Sequence, residues 1–223
     1  AFFTRALKPS ARPIAAALDA IVSPVDGTVS QCGPIEGDTI FQAKGQSYSL
    51  TALLGGDPDS AARYLGGTFA CIYLAPYNYH RIHMPLSGRV RQTIFVPGEL
   101  FSVNAATVRE ISRVFARNER VVCDFAAPDD KSCDFAMVFV GALHVGSIET
   151  VWCGEVNPPP RSAKRVRTLP LGIDQLLAKG VEAGRFNMGS TVILVVPPDR
   201  ATFDAHLTTG ATVTVGERIG TVR

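Results

Sequence analysis

The chain of 223 residues has no run of about 18 apolar residues, so no segment reads as a membrane-spanning helix. It has no Cys-x-x-Cys pair. Its five cysteines, at 32, 71, 123, 133 and 153, are scattered and odd in number, which argues against a disulfide framework and fits buried thiols in a reducing compartment. No cluster of His, Cys, Asp and Glu shows metal-ligand spacing. His80 and His83 stand three apart with no acidic or thiol ligand group beside them, so no metal is expected. A Gly-x-Gly-x-x-Gly turn before a helix is missing, as is a Walker-type loop, so a bound nucleotide cofactor is not expected either. Net charge is only +2, and nothing points to a nucleic-acid partner.

The remaining composition favours strands. Hydrophobic residues make up 46% of the chain, enough for a sizeable core, while 20 glycines and 15 prolines interrupt short runs rich in Val, Ile and Phe. Residues 1–20 read as a basic, proline-interrupted leading arm and a short Ala-rich helix. Strands are predicted at 20–23, 27–33, 39–43, 68–74, 88–96, 120–126, 134–140, 143–149, 151–156, 191–196, 212–215 and 218–222. Helices are predicted at 49–54, 58–65, 105–113 and 174–179. Asp129-Asp130-Lys131-Ser132 reads as a hairpin loop.

One internal echo bears on the fold. Ser23-Pro24-Val25-Asp26-Gly27-Thr28-Val29 and Met84-Pro85-Leu86-Ser87-Gly88-Arg89-Val90 share x-Pro-x-x-Gly-x-Val, and a Gly-Glu turn occurs at Gly98-Glu99 and at Gly216-Glu217. The pattern resembles the duplicated hammerhead of biotinyl and lipoyl carrier domains. The expected class is mostly β with a few short helices (α+β), a barrel-sandwich-hybrid-like, quasi-duplicated β core in a single domain. A carrier would present a lysine at a hairpin tip, and neither echo has one.

Three segments could carry chemistry together. Gly189-Ser190-Thr191 precedes the apolar run Val192–Val196, where a serine hydroxyl can turn on the preceding carbonyl and a glycine tolerates the contorted backbone. The turn at Asp26 offers a carboxylate. Tyr79-His80-Arg81-Ile82-His83-Met84-Pro85 offers two imidazoles. A hydroxyl needs a base to take its proton, and the base needs a third group to fix its tautomer, whatever the chain order.

With these segments in view, the chain closely resembles the phosphatidylserine decarboxylase family. Further family-like segments follow in order: Gln42-Ala43-Lys44-Gly45, Tyr48-Ser49-Leu50, Pro97 to Asn104, Phe115 to Arg120, and Val145 to Trp152. The resemblance implies a self-processing enzyme of phosphatidylethanolamine synthesis whose catalytic set is Asp26, His83 and Ser190. His83, oriented by Asp26, would deprotonate Ser190, and cleavage between Gly189 and Ser190 would leave a large chain 1–189 and a small chain 190–223 headed by a pyruvoyl group. That group, the only cofactor implied, would form a Schiff base with phosphatidylserine and accept the electrons left by decarboxylation. His80 is open between substrate contact or proton donation and a structural hydrogen bond. Ser102 is a candidate partner for the departing carboxylate.

The resemblance also implies a bacterial-type enzyme, peripheral on the cytoplasmic face of the cell (inner) membrane and acting on phosphatidylserine in an anionic surface. It leaves room for a homodimer. An N-terminal membrane-docking region is expected to be missing from this stretch. The rival reading is an autoproteolytic or lipoyl-carrier-like binding module without decarboxylase activity. Arg161, Lys164, Arg165 and Arg167 read as a solvated loop or a headgroup contact, Arg117-Asn118-Glu119-Arg120 as an ion-pair network or a phosphate site, and Trp152 as core packing or an interfacial aromatic. His144 and His206 read as structural or exposed.

Overall fold

The computed structural model describes residues 4–8, 10–129, 132–143, 147–157, 164–171, 175–187 and 190–223. Their fold is mostly β, as expected, and is organised around two copies of one seven-strand unit. The first copy comprises β1 (Ala20–Val22), β2 (Gly27–Pro34), β5 (Thr68–Leu74), β15 (Ser190–Val196), β16 (Ala201–Phe203), β17 (Thr212–Val213) and β18 (Arg218–Val222). The second comprises β6 (Arg81–His83), β7 (Gly88–Val96), β8 (Arg120–Ala126), β9 (Phe135–Val140), β10 (Ile148–Thr150), β13 (Leu176–Leu177) and β14 (Glu182–Phe186).

Register makes the equivalence specific. Gly27 and Thr28 pair with Val213 and Thr212, as Gly88 and Arg89 pair with Leu177 and Leu176. A register shift lies between Val29 and Gln31 in one copy and between Val90 and Gln92 in the other. His83, Ile82 and Arg81 pair with Glu182, Gly184 and Arg185, as Val22, Ile21 and Ala20 pair with Arg218, Gly220 and Thr221. The copies also grip each other reciprocally: Val22 N donates to Pro85 O (3.1 Å) and His83 N donates to Pro24 O (2.8 Å).

Their inner strands merge into one nine-stranded sheet, with β9 and β15 antiparallel at its centre. The sheet stays open; no barrel closes among the described strands. The Pro-x-x-Gly-x-Val echo marks the start of β2 and β7. The Gly-Glu echo does not belong to the repeat, because the counterpart of Gly216 is Gly180: both have φ +83°, and their N–H groups donate to the equivalent carbonyls of Ser23 and Met84.

One face of the large sheet packs against two small sheets, β1–β18–β16 and β6–β14–β10 with β11 (Gly154–Glu155), around Ile21, Ile82, Phe139, Phe186, Val192 and Leu194. The other face is covered by the hairpin β3 (Thr39–Ala43) and β4 (Gln46–Ser49) and by four short helices, α1 (Leu50–Leu53), α2 (Pro58–Ala62), α3 (Ala105–Glu110) and α4 (Val114–Arg117). Strand β15 is therefore buried at all seven positions, which is why its sequence runs apolar without alternation. Asp57 and Asn104 cap α2 and α3 by accepting from backbone N–H groups.

Several expectations are corrected. The Ala-rich segment before β1 is not helical: Pro13 interrupts it, and the Ala15 N–H donates to Gly216 O instead of to a helix (2.9 Å). Of the helix expected at 174–179, residue 174 lies outside the described residues and 175–179 hold β13, paired with the edge of β7, in place of a helix; Gly180 at positive φ turns the chain immediately afterwards. Of the strand expected at 143–149, residues 144–146 lie outside the described residues and 148–149 fall in β10; the strand expected at 151–156 is reduced to β11, joined to β10 by a turn in which Cys153 N donates to Thr150 Oγ1 (3.0 Å) and Gly154 takes φ +69°. Strand β14 escaped the pattern because Gly184 and two charged residues break its alternation. A further short strand, β12 (Arg167–Thr168), pairs with β7.

Candidate active site

The open end of the large sheet collects the candidate segments. Asp26 immediately precedes β2, Tyr79 to His83 follow β5, Ser102 follows β7, Asn118 and Glu119 precede β8, and Ser190 begins β15. Register places these points side by side: Thr28 opposite Tyr73, Leu74 opposite Ser190, Thr191 opposite Val140, Val140 opposite Arg120, and Arg120 opposite Val96.

Ser190 is fully buried, and its Oγ has no hydrogen-bond partner among the described residues. Strand alternation puts this hydroxyl on the face shared with Val192 and Leu194, toward the small sheet of Ile82 and Phe186. Thr191 Oγ1, on the opposite face, is also buried and unpartnered. Such hydroxyls cost about 1–3 kcal/mol each, so two in succession need an explanation. Gly189 lies outside the described residues. The approach from β14 is pinned: Phe186 N donates to His80 O (3.0 Å) and Asn187 N donates to Ser147 O (3.2 Å).

Asp26 sits in a turn fixed by Pro24 and by Ser23, whose hydroxyl donates to Val25 O (2.7 Å). Gly27 is required there, since a Cβ would lie 2.4 Å from Tyr73 O. The nearly buried Asp26 carboxylate accepts from Arg12 Nε (3.0 Å), Arg12 Nη2 (2.5 Å) and Val215 N (2.8 Å). This partnership raises the already high Arg12 value, chiefly through the hydrogen bond to Asp26.

The His83 ring is held at both nitrogens. Nδ1 lies 2.7 Å from Gly180 O, and a carbonyl only accepts, so Nδ1 carries the proton. Nε2, the basic atom of the neutral ring, accepts from Tyr79 Oη at 2.9 Å. Burial pushes the Tyr79 phenol up to about 12, so it remains a donor at neutral pH. The group orienting His83 here is therefore the Gly180 carbonyl, while Asp26 is engaged by Arg12. The backbones of the two segments do meet, through the bond from His83 N to Pro24 O.

His80, immediately before β6, is buried, and alternation sets it with Ile82 on the face opposite His83, the side on which Ile82 packs with Val192 and Leu194. Its Nδ1–H donates to Asn78 O (2.8 Å), and desolvation lowers its pKa below 6.5. Ser102 is half-buried and accepts from Asn104 N (3.4 Å). Its segment is tied down by Asn118, whose Nδ2 donates to Phe101 O and Gly141 O (2.8 Å each).

Arg120 departs from the ion-pair expectation. Its buried guanidinium donates to the carbonyls of Ala52, Leu53, Ala116 and Asn118, and desolvation lowers its pKa to about 10. Arg117 lies over the Phe101 ring, 4.6 Å from its centroid. Trp152 packs edge-on against Phe125 and donates to Thr93 Oγ1 (2.8 Å). His144 and Arg161 lie outside the described residues; Lys164, Arg165 and Arg167 are exposed. Sequence reasoning missed Arg12, Tyr79 and Gly180 as supports. The available signals were a Tyr four residues before His83 and a Gly placed as Gly216 is.

The family model for phosphatidylserine decarboxylase matches residues 1–221. The chain belongs to this family. It is 51% identical over 221 residues to a relative from Pseudomonas fluorescens, covering 99% of this chain and 76% of the relative. It is 55% identical over 216 residues to one from Chromobacterium violaceum (97% and 75%) and 52% identical over 220 residues to one from Nitrosococcus oceani (99% and 71%). Each of the three is named phosphatidylserine decarboxylase proenzyme. The family match thus spans both copies of the repeat and every segment gathered at the sheet end.

Proposed function

We propose that this phosphatidylserine decarboxylase family member is a carboxy-lyase that converts phosphatidylserine to phosphatidylethanolamine, using a pyruvoyl group made from Ser190. The observation carrying this reading is the fully buried Ser190 hydroxyl at the head of the central strand, without a hydrogen-bond partner among the described residues, in a chain whose relatives are named proenzymes. Ser190 Oγ attacks the Gly189 carbonyl as its proton passes to a base, and the peptide becomes an ester. Loss of the Ser190 α-proton expels the Gly189 carboxylate. Hydrolysis of the resulting enamine then releases ammonia and leaves a ketone at position 190. Because the scissile bond is supplied in cis, no separate peptide-binding cleft is needed.

His83 is the base of this reading, with Asp26 supporting it. Since Tyr79 occupies Nε2 and strand alternation sets His83 on the face of β6 opposite Ile82, proton transfer from Ser190 requires the Tyr79 hydrogen bond to be handed over and the ring to turn, or a relay between them. The pyruvoyl ketone supplies an electron sink for the charge left when carbon dioxide departs. His80, held neutral by burial and facing the Ser190 side, is suited to contact substrate there and to move a proton beside position 190. Ser102, on the loop after β7 at the same sheet end, is suited to bind the substrate carboxylate. The lipid substrate places the work at a membrane surface. Exposed Tyr77 and Leu143, on the loops leaving β5 and β9 beside Ser190, fit that setting.

Intact-mass measurement tests the reading. Two chains are expected, the smaller starting at position 190 with a pyruvoyl mass, and Ser190→Ala is expected to remain one chain. A small chain with a free Ser190 amine would instead favour an autoproteolytic module. Release of carbon dioxide from phosphatidylserine vesicles, but not from free serine, is the matching activity readout.

A further inference from the structure

The twin of Asp26 shows what that position requires for folding alone. In the second repeat, Ser87 Oγ accepts from Lys179 N (3.0 Å), as Asp26 Oδ1 accepts from Val215 N (2.8 Å) in the first. A neutral hydroxyl therefore suffices to cap the turn. Asp26 adds a buried negative charge that the turn itself does not need, and Arg12 answers that charge with two guanidinium N–H groups.

Arg12 reaches Asp26 from a segment that also covers the support of His83. Ala15 N donates to Gly216 O (2.9 Å). Ile14 lies so close to both turn glycines that a Cβ on Gly180 or Gly216 would come within 2.8 Å or 2.6 Å of it. Gly180 is the residue whose carbonyl holds His83 Nδ1. Tyr79, on His83 Nε2, lies within electrostatic reach of both charges, Asp26 raising and Arg12 lowering its phenol. Arg81 and Glu182 also face Tyr79, paired with each other at 2.7 Å.

We propose that Arg12 is a positioning residue for self-cleavage, fixing the Asp26 carboxylate beside the Tyr79–His83 pair. The inference rests on the reading of Gly189-Ser190 as the cleavage junction. Without Arg12 the carboxylate keeps the Val215 N–H and loses its two charged donors, so its direction is no longer set. Misplacement of about 1 Å in a supporting group can cost about a hundredfold in rate.

The test follows cleavage of freshly made full-length chain by denaturing gel and intact mass, with a thermal melt of each precursor. Arg12→Met keeps the apolar stem without the charge; Arg12→Lys keeps the charge without the two-pronged geometry. The expected result is cleavage slowed about ten- to a hundredfold in Arg12→Met, with Arg12→Lys clearly faster than Arg12→Met and melting close to wild type, and the Arg12→Met melt lower because a buried carboxylate loses its charged partner. Wild-type or faster cleavage in Arg12→Met overturns the proposal, the latter by showing that the ion pair withholds Asp26. Equal slowing in both variants with equally lowered melts also overturns it, leaving a purely structural ion pair. If an unfolded Arg12→Met precursor prevents comparison, Arg12→Gln takes its place under the same criteria. Failure of the wild-type chain to cleave would strike the parent reading, a result separable from all of these.

Discussion

The two repeats share strand register, the positions of their irregularities and the paired glycines at 180/216 and 184/220, yet each supplies different members of the proposed catalytic set, Asp26 and Ser190 from the first and His83 from the second. Where the first repeat has Asp26 the second has Ser87. Where the second has His83 the first has Val22. Val29 pairs with Ile72 and Ile72 with Val192, as Val90 pairs with Phe125 and Phe125 with Phe135. Two residues earlier, Ser190 therefore corresponds to Cys133. The copies differ most in connection. In the second, β8 passes to β9 through a short loop; in the first, the equivalent step from β5 to β15 is interrupted by the entire second repeat. The Gly189-Ser190 junction is the point of return from that interruption. Shared features thus mark what the fold needs, and unshared ones mark candidates for function.

The sharpest way to break this comparison is to exchange a residue for its twin. Asp26→Ser is expected to fold, because Ser87 shows that a hydroxyl caps this turn, and to slow self-cleavage at least about a hundredfold. Intact mass over time checks the second point and a thermal melt the first. Normal processing would remove Asp26 from the mechanism. The reverse control, Ser87→Ala, is expected to lose about 1 kcal/mol of stability and to cleave normally.

The next effect is structural and symmetric. A Cβ on Gly184 would lie 2.4 Å from Glu149 O, and one on Gly220 would lie 2.6 Å from Thr202 O. Gly184→Ala and Gly220→Ala should each destabilise by about 1–3 kcal/mol in denaturant titration, within error of each other. A large difference would show that the repeats bear load unequally.

A smaller effect follows from His80, whose counterpart position in the first repeat has no histidine. Burial depresses its folded pKa below the unfolded 6.5, so the unfolded chain takes up the proton first. The stability tied to a neutral His80 is present above pH 6.5 and is lost as pH falls through and below that value. Denaturant midpoints between pH 7.5 and 5.5, with the numbers taken as about one unit either side of 6.5, should drop less in His80→Gln than in wild type. An unchanged slope would discount His80 as a buried neutral group.

Much of the fold was legible because its signals are local. The starts of β2 and β7 are written in Pro-x-x-Gly-x-Val, and the centre strand in the unbroken run after Ser190. What stayed hidden depends on distant partners. Leu176 and Leu177 extend because the edge of β7 offers hydrogen bonds, and residues 14–18 avoid a helix because Gly216 claims the Ala15 N–H. The candidate site divides the same way. Asp26, His83 and Ser190 stand out as residue types in family-like segments. Tyr79, four residues before His83, and Gly180, placed as Gly216 is, leave a faint trace, but nothing local reveals that Arg12 occupies the Asp26 carboxylate or that the Gly180 carbonyl holds His83 Nδ1. Those partnerships come from the arm and from the second repeat.

The central place of β15 has a consequence for the proposed cleavage. It is flanked by β5 along its whole length and by β9 along most of it, while β16 and β18 continue into the sheet of β1 and β17 lies beside β2. A nick ahead of Ser190 breaks one covalent link and leaves every one of these pairings in place. The two pieces should travel together through a sizing column and part only in denaturant. Under the proposed cleavage, a new chain terminus, normally confined to the rim of a protein, would be delivered to the head of the central strand of its largest sheet.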